Sequence, residues 1–295
     1  MSVAKKNIYK VSLLFIGIVL VGFWIVVSSL PNVTEINNFQ PESTVYNLDR
    51  FDWKKRTLAP VRKYVPLHQI SPELRTAVLI SEDDTFFGHS GINLTELKKA
   101  FQENLKKKRY ARGASTITMQ LARNAFLTKK KTLIRKLKEI LLAKRIEKVW
   151  SKQKIFEYYL NIVEWGDNVY GAEAAARYYF DKPASQLNLA EASMLAGILP
   201  NPIVLNPFDN WSGAKKRQSR VLKLMLNTRL ITVDEFKSLL CQEIYLRGSK
   251  PLFVEYDNIP DISIFEKALK DPRIPERLKR KADSTGIIFL PEEQK

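Results

Sequence analysis

Three consecutive acids, Glu82, Asp83 and Asp84, stand beside the apolar pair Phe86 and Phe87 in the stretch LISEDDTFFGHSG. The spacing of Leu74, Ala77 and Val78 predicts a helix over 72–81 that delivers Glu82 at its C-terminal end. The negative end of a helix dipole disfavours a carboxylate, and a phenylalanine nearby removes water from it. Both effects raise a carboxyl pKa towards what a general acid or base needs near neutrality. A solvated acidic turn after a helix has the same composition and is the commoner situation.

A second carboxylate, Glu139, is the one acid among Arg135, Lys136, Lys138 and Lys144. On a helix Arg135 lies four residues before it on the same face, and neighbouring cations keep such a carboxylate ionised. The plainer alternative is a surface ion pair under a solvated basic face, whose lysines each gain roughly 1 kcal/mol near anionic headgroups. Two carboxylates with opposite surroundings separate proton transfer from electrostatic work. Between them runs RGASTITMQLARNAF. Gly113 allows close backbone approach, Ser115, Thr116 and Gln120 offer neutral hydrogen bonds, and Arg123 adds a charge-assisted bond. That set suits a sugar phosphate, although any polar loop before a helix looks similar.

The elements that must position these groups are mostly α. Ser71-Pro72-Glu73 reads as a helix start, and Asn93…Glu96, Asn188…Glu191 and Thr232…Glu235 read as capping boxes. Leu133, Leu137, Ile140 and Leu141 recur at helical spacing, as do Ile155, Tyr158, Tyr159 and Ile162. Pro200 and Pro202 close the helix that starts near Leu189. Val221, Leu222, Leu224 and Leu226 read as core, and Gly286–Leu290 is the best strand signal. Residues 31–66 lack helical period and read as a juxtamembrane connector with a short strand. Val11 to Leu30 is twenty residues without a charge, preceded by Lys5, Lys6 and Lys10. This predicts a transmembrane helix over 11–30, a cytoplasmic tail over 1–10, and the remaining chain outside; the alternative, a cleaved signal peptide, usually has a shorter apolar core and a small-x-small site, which is poorly met here. The net charge of +17 asks for an anionic partner, and that topology turns the basic surface away from nucleic acid towards an anionic membrane surface. The single Cys241 cannot form an internal disulfide.

The order of motifs is more specific. Glu82-Asp83-x-x-Phe86-x-x-His89-x-Gly91 precedes Gly113-Ala114-Ser115-Thr116-Ile117-Thr118-x-Gln120, then Arg135-Lys136-x-x-Glu139. Lys154 with Leu160-Asn161 and Gly166 follows, and then Gly171, Ala174-Ala175, Tyr179-Phe180, Lys182, Glu191-Ala192 and Leu195-Ala196. Over about residues 60–210 the set resembles the peptidoglycan glycosyltransferases (glycosyltransferase family 51), specifically the monofunctional membrane-anchored kind. The resemblance implies a lysozyme-like α domain over 67–240 with a small apolar lobe at the bilayer, leaving 241–295 as an extension of unknown role. It implies polymerisation of lipid II into glycan strands by inverting transfer, forming a β-1,4 bond and releasing undecaprenyl pyrophosphate. Glu82 then matches the catalytic base. Glu139 matches the second glutamate, which assists the pyrophosphate directly or through Mg2+ or Mn2+. Arg123, Lys131, Arg135 and Lys136 match phosphate-binding positions. Ser115, Thr116, Gln120 and Asn124, with Gly113, match the motif lining the cleft. Asp83 supports that cleft, while Phe86 and His89 shape the loop. Met119, Arg123 and Asp181 depart from the commonest pattern, where glutamine, lysine and glycine are frequent.

No transpeptidase is expected: Lys-Thr-Gly is absent, and Ser151…Lys154 and Ser212…Lys215 match serine-x-x-lysine only at chance level. Other cell-wall synthesis proteins are conceivable partners. Two other readings share these residues, a lysozyme-like glycan hydrolase and a non-catalytic scaffold that binds lipid II.

Overall fold

The computed structural model describes residues 3–34, 61–107, 113–128, 130 and 132–248. The helices are α1 (Val3–Ser28), α2 (Pro72–Glu82), α3 (Leu94–Lys107), α4 (Ile117–Phe126) and α5 (Leu133–Val149), then α6 (Lys152–Ile162), α7 (Ala172–Phe180), α8 (Leu189–Ile198), α9 (Trp211–Asn227) and α10 (Val233–Cys241). They divide into two compact units, Met1–Gln40 with Ser90–Trp150 and Pro41–His89 with Ser151–Lys295.

In the first unit α4 packs on α5. The helix expected from the spacing of Leu133, Leu137, Ile140 and Leu141 forms, and its fully buried residues are Glu139, Leu142, Ala143 and Ile146, with Leu137, Ile140 and Leu141 half-buried. Leu133 is 91% exposed, and Ile134 beside it is exposed too. Gly91, at φ +81°, approaches so closely that a Cβ there would sit 3.0 Å from the Ala143 carbonyl oxygen. Only a glycine tolerates both the positive φ and that approach. α3 presents Leu94, Leu97, Phe101 and Leu105 at helical spacing to solvent and buries only Ala100. The side chains of α1 are described from Ser12, and its large apolar residues from Leu13 to Ile25 are exposed. Among the described residues no helix is long and apolar enough to cross a membrane.

The second unit is built round α8, every residue of which from Ala190 to Ile198 is buried. α2 and α9 pack against it. Gly197 lets α9 approach closely, because a Cβ there would lie 2.9 Å from the carbonyl carbon of Arg217. The capping boxes at Asn188–Glu191 and Thr232–Glu235 both form. At Asn93 the side chain accepts from the Glu96 amide at 2.9 Å. On α9 the core positions are Val221, Leu222, Met225 and Leu226, whereas Leu224, expected inside, is 42% exposed. One helical turn buries i, i+1, i+4 and i+5 here, and Leu224 falls off that face.

Apart from the short strand expected within 31–66, where β1 falls, a small sheet went unsignalled in the sequence: β1 (Val61–Arg62), β2 (Glu164–Gly166) and β3 (Val169–Tyr170), in the order β1-β3-β2. β1 runs parallel and β2 antiparallel to β3. Asn161 ties this region to α6. Its Oδ1 accepts from the Val65 amide at 2.9 Å, and its Nδ2 donates to the Val65 and Glu157 carbonyls at 2.9 and 2.8 Å. The strand expected at Gly286–Leu290 lies outside the described residues.

The unit continues beyond α10. Ile244 and Leu246 are buried, and the Arg247 amide donates to the Tyr179 carbonyl at 2.8 Å at the end of α7. There Asp181 takes the left-handed conformation, φ 56°, that usually calls for glycine. The Arg247 guanidinium pairs with its carboxylate at 3.3 Å, so the position that departs from the family pattern has acquired a partner from the C-terminal segment.

Lys215 of α9 is buried, and its Nζ donates to the Leu240 carbonyl at 3.1 Å near the end of α10. Burial lowers its pKa from 10.5 to about 8, with Cys241 acting weakly in the opposite direction. The unfolded chain therefore holds this proton more tightly than the fold does, and stability rises with pH between those two values. Relative to a Lys215→Met variant, the wild-type unfolding free energy should climb by up to about 3 kcal/mol between pH 8 and 10.5. Denaturant unfolding of both proteins across that range is the check, and parallel pH profiles would refute it.

Candidate active site

α5 begins at Thr132, whose side chain accepts from the Arg135 amide at 3.0 Å. That start sets the phase of the helix and puts Glu139 on its inner side, 1% exposed. A carboxylate so buried needs opposite charge. It has two sources: Arg135 Nη1 lies 3.0 Å from Oε1, and Lys136 Nζ lies 3.0 Å from Oε2. The arginine contact is one of charge rather than an aligned hydrogen bond, since Oε1 is a buried acceptor with no hydrogen-bond partner and Arg135 Nε a buried donor without one. Lys136 Nζ also donates to Ser115 Oγ at 2.7 Å. An ammonium has no lone pair, so the Ser115 proton points away from Lys136 as a further donor. One acid and two cations leave this cluster at net +1, with hydrogen-bond donors in excess.

The motif that supplies Ser115 is held by its threonines. Thr116 accepts from the Met119 amide at 3.2 Å as the N-cap of α4, and donates to the Gly91 carbonyl at 2.7 Å. Thr118, wholly buried, donates to Glu147 of α5. Met119 is 1% exposed, so this departure from the family pattern sits in the core. Gly113 is exposed, and Gln120 and Arg123 are half-buried. Asn124 is exposed, with its Oδ1 accepting from Arg123 Nε at 3.4 Å. The first unit thus brings Ser115, Arg135, Lys136 and Glu139 together, and Arg123 and Asn124 pair with each other. Lys131 lies outside the described residues.

The second unit holds the other acidic stretch. Ser71 caps α2 by accepting from the Leu74 amide at 3.1 Å, with Pro72 at the first helical position. Glu82 is the last helical residue and is half-buried. Asp83, which follows as C-cap, is 8% exposed, and both of its oxygens lie within 3.1 Å of His89 Nε2. This pairing assigns the ring proton to Nε2 and leaves Nδ1 a buried acceptor with no partner. Phe86 is 1% exposed, edge-on to Phe87 and His89, and Lys152 Nζ stands 4.2 Å from its ring centroid. The loop after Glu82 is therefore clamped by the hydrogen bond between His89 and Asp83 and by an aromatic cluster.

Arg217 of α9 escaped the sequence reading. Its Nε donates to the Gly197 carbonyl at 2.9 Å. Burial pulls its pKa below the ordinary arginine range, Arg220 pulls the same way, and the charge of Glu82 opposes both. In the sequence it is one basic residue among Lys215, Lys216, Arg220 and Lys223, and only the packing of α9 singles it out.

The buried carboxylate gives a stability test. Replacing both Arg135 and Lys136 by methionine leaves Glu139 buried and uncompensated, which should cost about 3 kcal/mol or more. Lys136, the more exposed cation, should contribute the smaller single loss. Adding Glu139→Leu should recover most of the deficit. Chemical denaturation of the wild type, the two single variants, the double and the triple measures this, and a double variant as stable as wild type would show that Glu139 needs no cations.

Comparison with known proteins shows the family of the chain. A family model described as Transglycosylase matches residues 53–226. A biosynthetic peptidoglycan transglycosylase of Nitrosospira multiformis is 37% identical over 230 residues, 77% of this chain and 98% of that protein. Proteins of the same name from Thiobacillus denitrificans and Aromatoleum aromaticum are 41% and 44% identical, over 62% and 56% of this chain and 78% and 74% of theirs. A crystal structure of penicillin-binding protein 1A from Haemophilus influenzae aligns with a TM-score of 0.38 at 20% identity, over 71% of this chain and 21% of that one, too slight a likeness to argue from. Matched over more than half its length, and 37% identical to a relative it spans almost whole, the chain belongs to the transglycosylase family.

Proposed function

We propose that this chain polymerises lipid II into peptidoglycan glycan strands by inverting glycosyl transfer, with release of undecaprenyl pyrophosphate. The observation that carries the reading is the Ser115–Lys136–Glu139–Arg135 cluster, together with the names of the relatives. A departing pyrophosphate needs fixed positive charge and hydrogen-bond donors, and Arg135, Lys136 and the outward Ser115 hydroxyl supply them. Glu139 holds the two cations in place and keeps their excess charge at one unit. Glu82 is the base that takes the proton from the acceptor hydroxyl, and Arg217 tempers its charge. Asp83, Phe86 and His89 fix the loop that follows it. Gly113, Thr116, Gln120, Arg123, Asn124 and Lys131 complete the substrate-binding set.

Mg2+ or Mn2+ fits this donor set poorly. Among the described residues no group of three or more His, Cys, Asp or Glu could hold a metal ion, and Glu139 is already matched by two cations. The two basic side chains do the work that a divalent ion would otherwise do, and no step is routed through one.

The same reading makes α1 a single-pass anchor in the bacterial cytoplasmic membrane with its N-terminus inside, and puts the lysozyme-like catalytic domain on the outer side. The exposed apolar residues of α1, and the stripe Leu94, Leu97, Phe101 and Leu105 on α3, support a lobe that meets the bilayer. Residues 241–295 have no assigned role.

Purified full-length protein in detergent, given labelled lipid II and no other glycan, should produce long strands. Glu82→Gln should cut the rate about a hundredfold or more, as expected for loss of a general base. Only shortened strands from added glycan would favour a hydrolase, and a Glu82→Gln variant as fast as wild type would favour a scaffold.

A further inference from the structure

The end of α1 leaves carbonyl groups that the helix cannot satisfy by itself. The Ser29 amide donates to the Ile25 carbonyl at 3.0 Å, the Ser29 hydroxyl to Val26 at 2.8 Å, and the Leu30 amide to Val27 at 3.3 Å. One donor comes from elsewhere in the same unit: Arg145 Nη2 of α5 reaches the Val27 carbonyl at 3.3 Å. A guanidinium suits the negative end of a helix dipole, and its planar fork holds direction in a way a lysine does not.

The surroundings change at the same point. From Leu13 to Ile25 the large apolar residues of α1 are exposed, whereas Val26, Val27, Leu30 and Pro31 are half-buried and Val33 is 6% exposed. Exposed apolar helix thus gives way to packed chain where Arg145 makes its bond. Arg145 lies six residues after Glu139 on α5, about 9 Å along the helix axis. Lys144 and Lys148, on either side of it in sequence, are exposed.

We propose that Arg145 is a positioning residue that ties the end of α1 to α5 and so fixes the height of the Glu139 cluster relative to the lipid. This rests on the functional reading above, with α1 inserted in the membrane. A lipid-linked substrate has its pyrophosphate held at headgroup depth by its own tail. The cations that receive it must then stand at the same depth. A loose joint between α1 and α5 would spread them over many depths and lower their effective concentration at the pyrophosphate. A substrate free in solution carries no such constraint.

The experiment uses full-length protein reconstituted in vesicles of phosphatidylglycerol and phosphatidylethanolamine. One arm supplies full-length lipid II within the same vesicles, and the other a short-tailed, water-soluble analogue from solution. Arg145→Ala should lower kcat/KM about tenfold on the embedded substrate and leave the soluble one within about twofold, and Arg145→Lys should fall between. Equal losses in both arms would mean a merely structural role and overturn the proposal, as would an unchanged rate on embedded lipid II. A wild-type protein inactive in both arms would overturn the functional reading itself, a result distinct from the other two.

Discussion

Burial of Glu139 is the constraint from which the first unit follows. A carboxylate at 1% exposure is tolerable only with compensating charge, so Arg135 and Lys136 are drawn to it from one and the same helix. Their placement four and three residues before it is what a helix offers for contact. Lys136, so placed, reaches Ser115 and sets the direction of its hydroxyl. The threonine pins of the 115–120 segment then have a clear purpose, since Thr116 and Thr118 fasten that segment to Gly91 and Glu147. An arrangement of this kind costs stability and yields a fixed group of donors, the trade made where anionic groups are bound.

The second unit treats its acids differently. Asp83 pairs with His89 and Glu82 closes α2, so two adjacent acids take separate parts. The clamp is local, six residues long, and pinned to the core through Phe86 and Phe156, whose rings lie 5.9 Å apart. Arg217 comes from far along the chain, delivered by the close approach of α9 to Gly197. Nearby backbone order and distant charge meet at this one residue.

What could be read beforehand follows the range of the interactions concerned. Helix starts at Ser71, Asn188 and Thr232 were legible because a cap and its partner lie within three residues. The family was legible through motif order, not through composition. The three-stranded sheet was illegible because strands of two or three residues contain no period. On α5 the apolar spacing showed a helix, while the close approach of Gly91 to the Ala143 backbone is a long-range contact that no local spacing reveals. Arg145, Arg217 and Arg247 each act on residues more than 60 positions away, and nothing in their own neighbourhood marks them out. Asp181 was legible as a departure from the family pattern, but its reason, the pairing with Arg247, required the fold.

The central claim is a division of labour: Glu82 moves a proton, and the Glu139 cluster holds an anion. Equilibrium binding of lipid II to Glu82→Gln, with and without Lys136→Met, tests it most directly because neither protein should turn over. The account predicts that Glu82→Gln alone binds lipid II within about twofold of its affinity for wild type, and that adding Lys136→Met weakens binding about tenfold or more, the loss of one charge-assisted contact. If Glu82→Gln abolished binding, or if Lys136→Met left it unchanged, the division would be wrong.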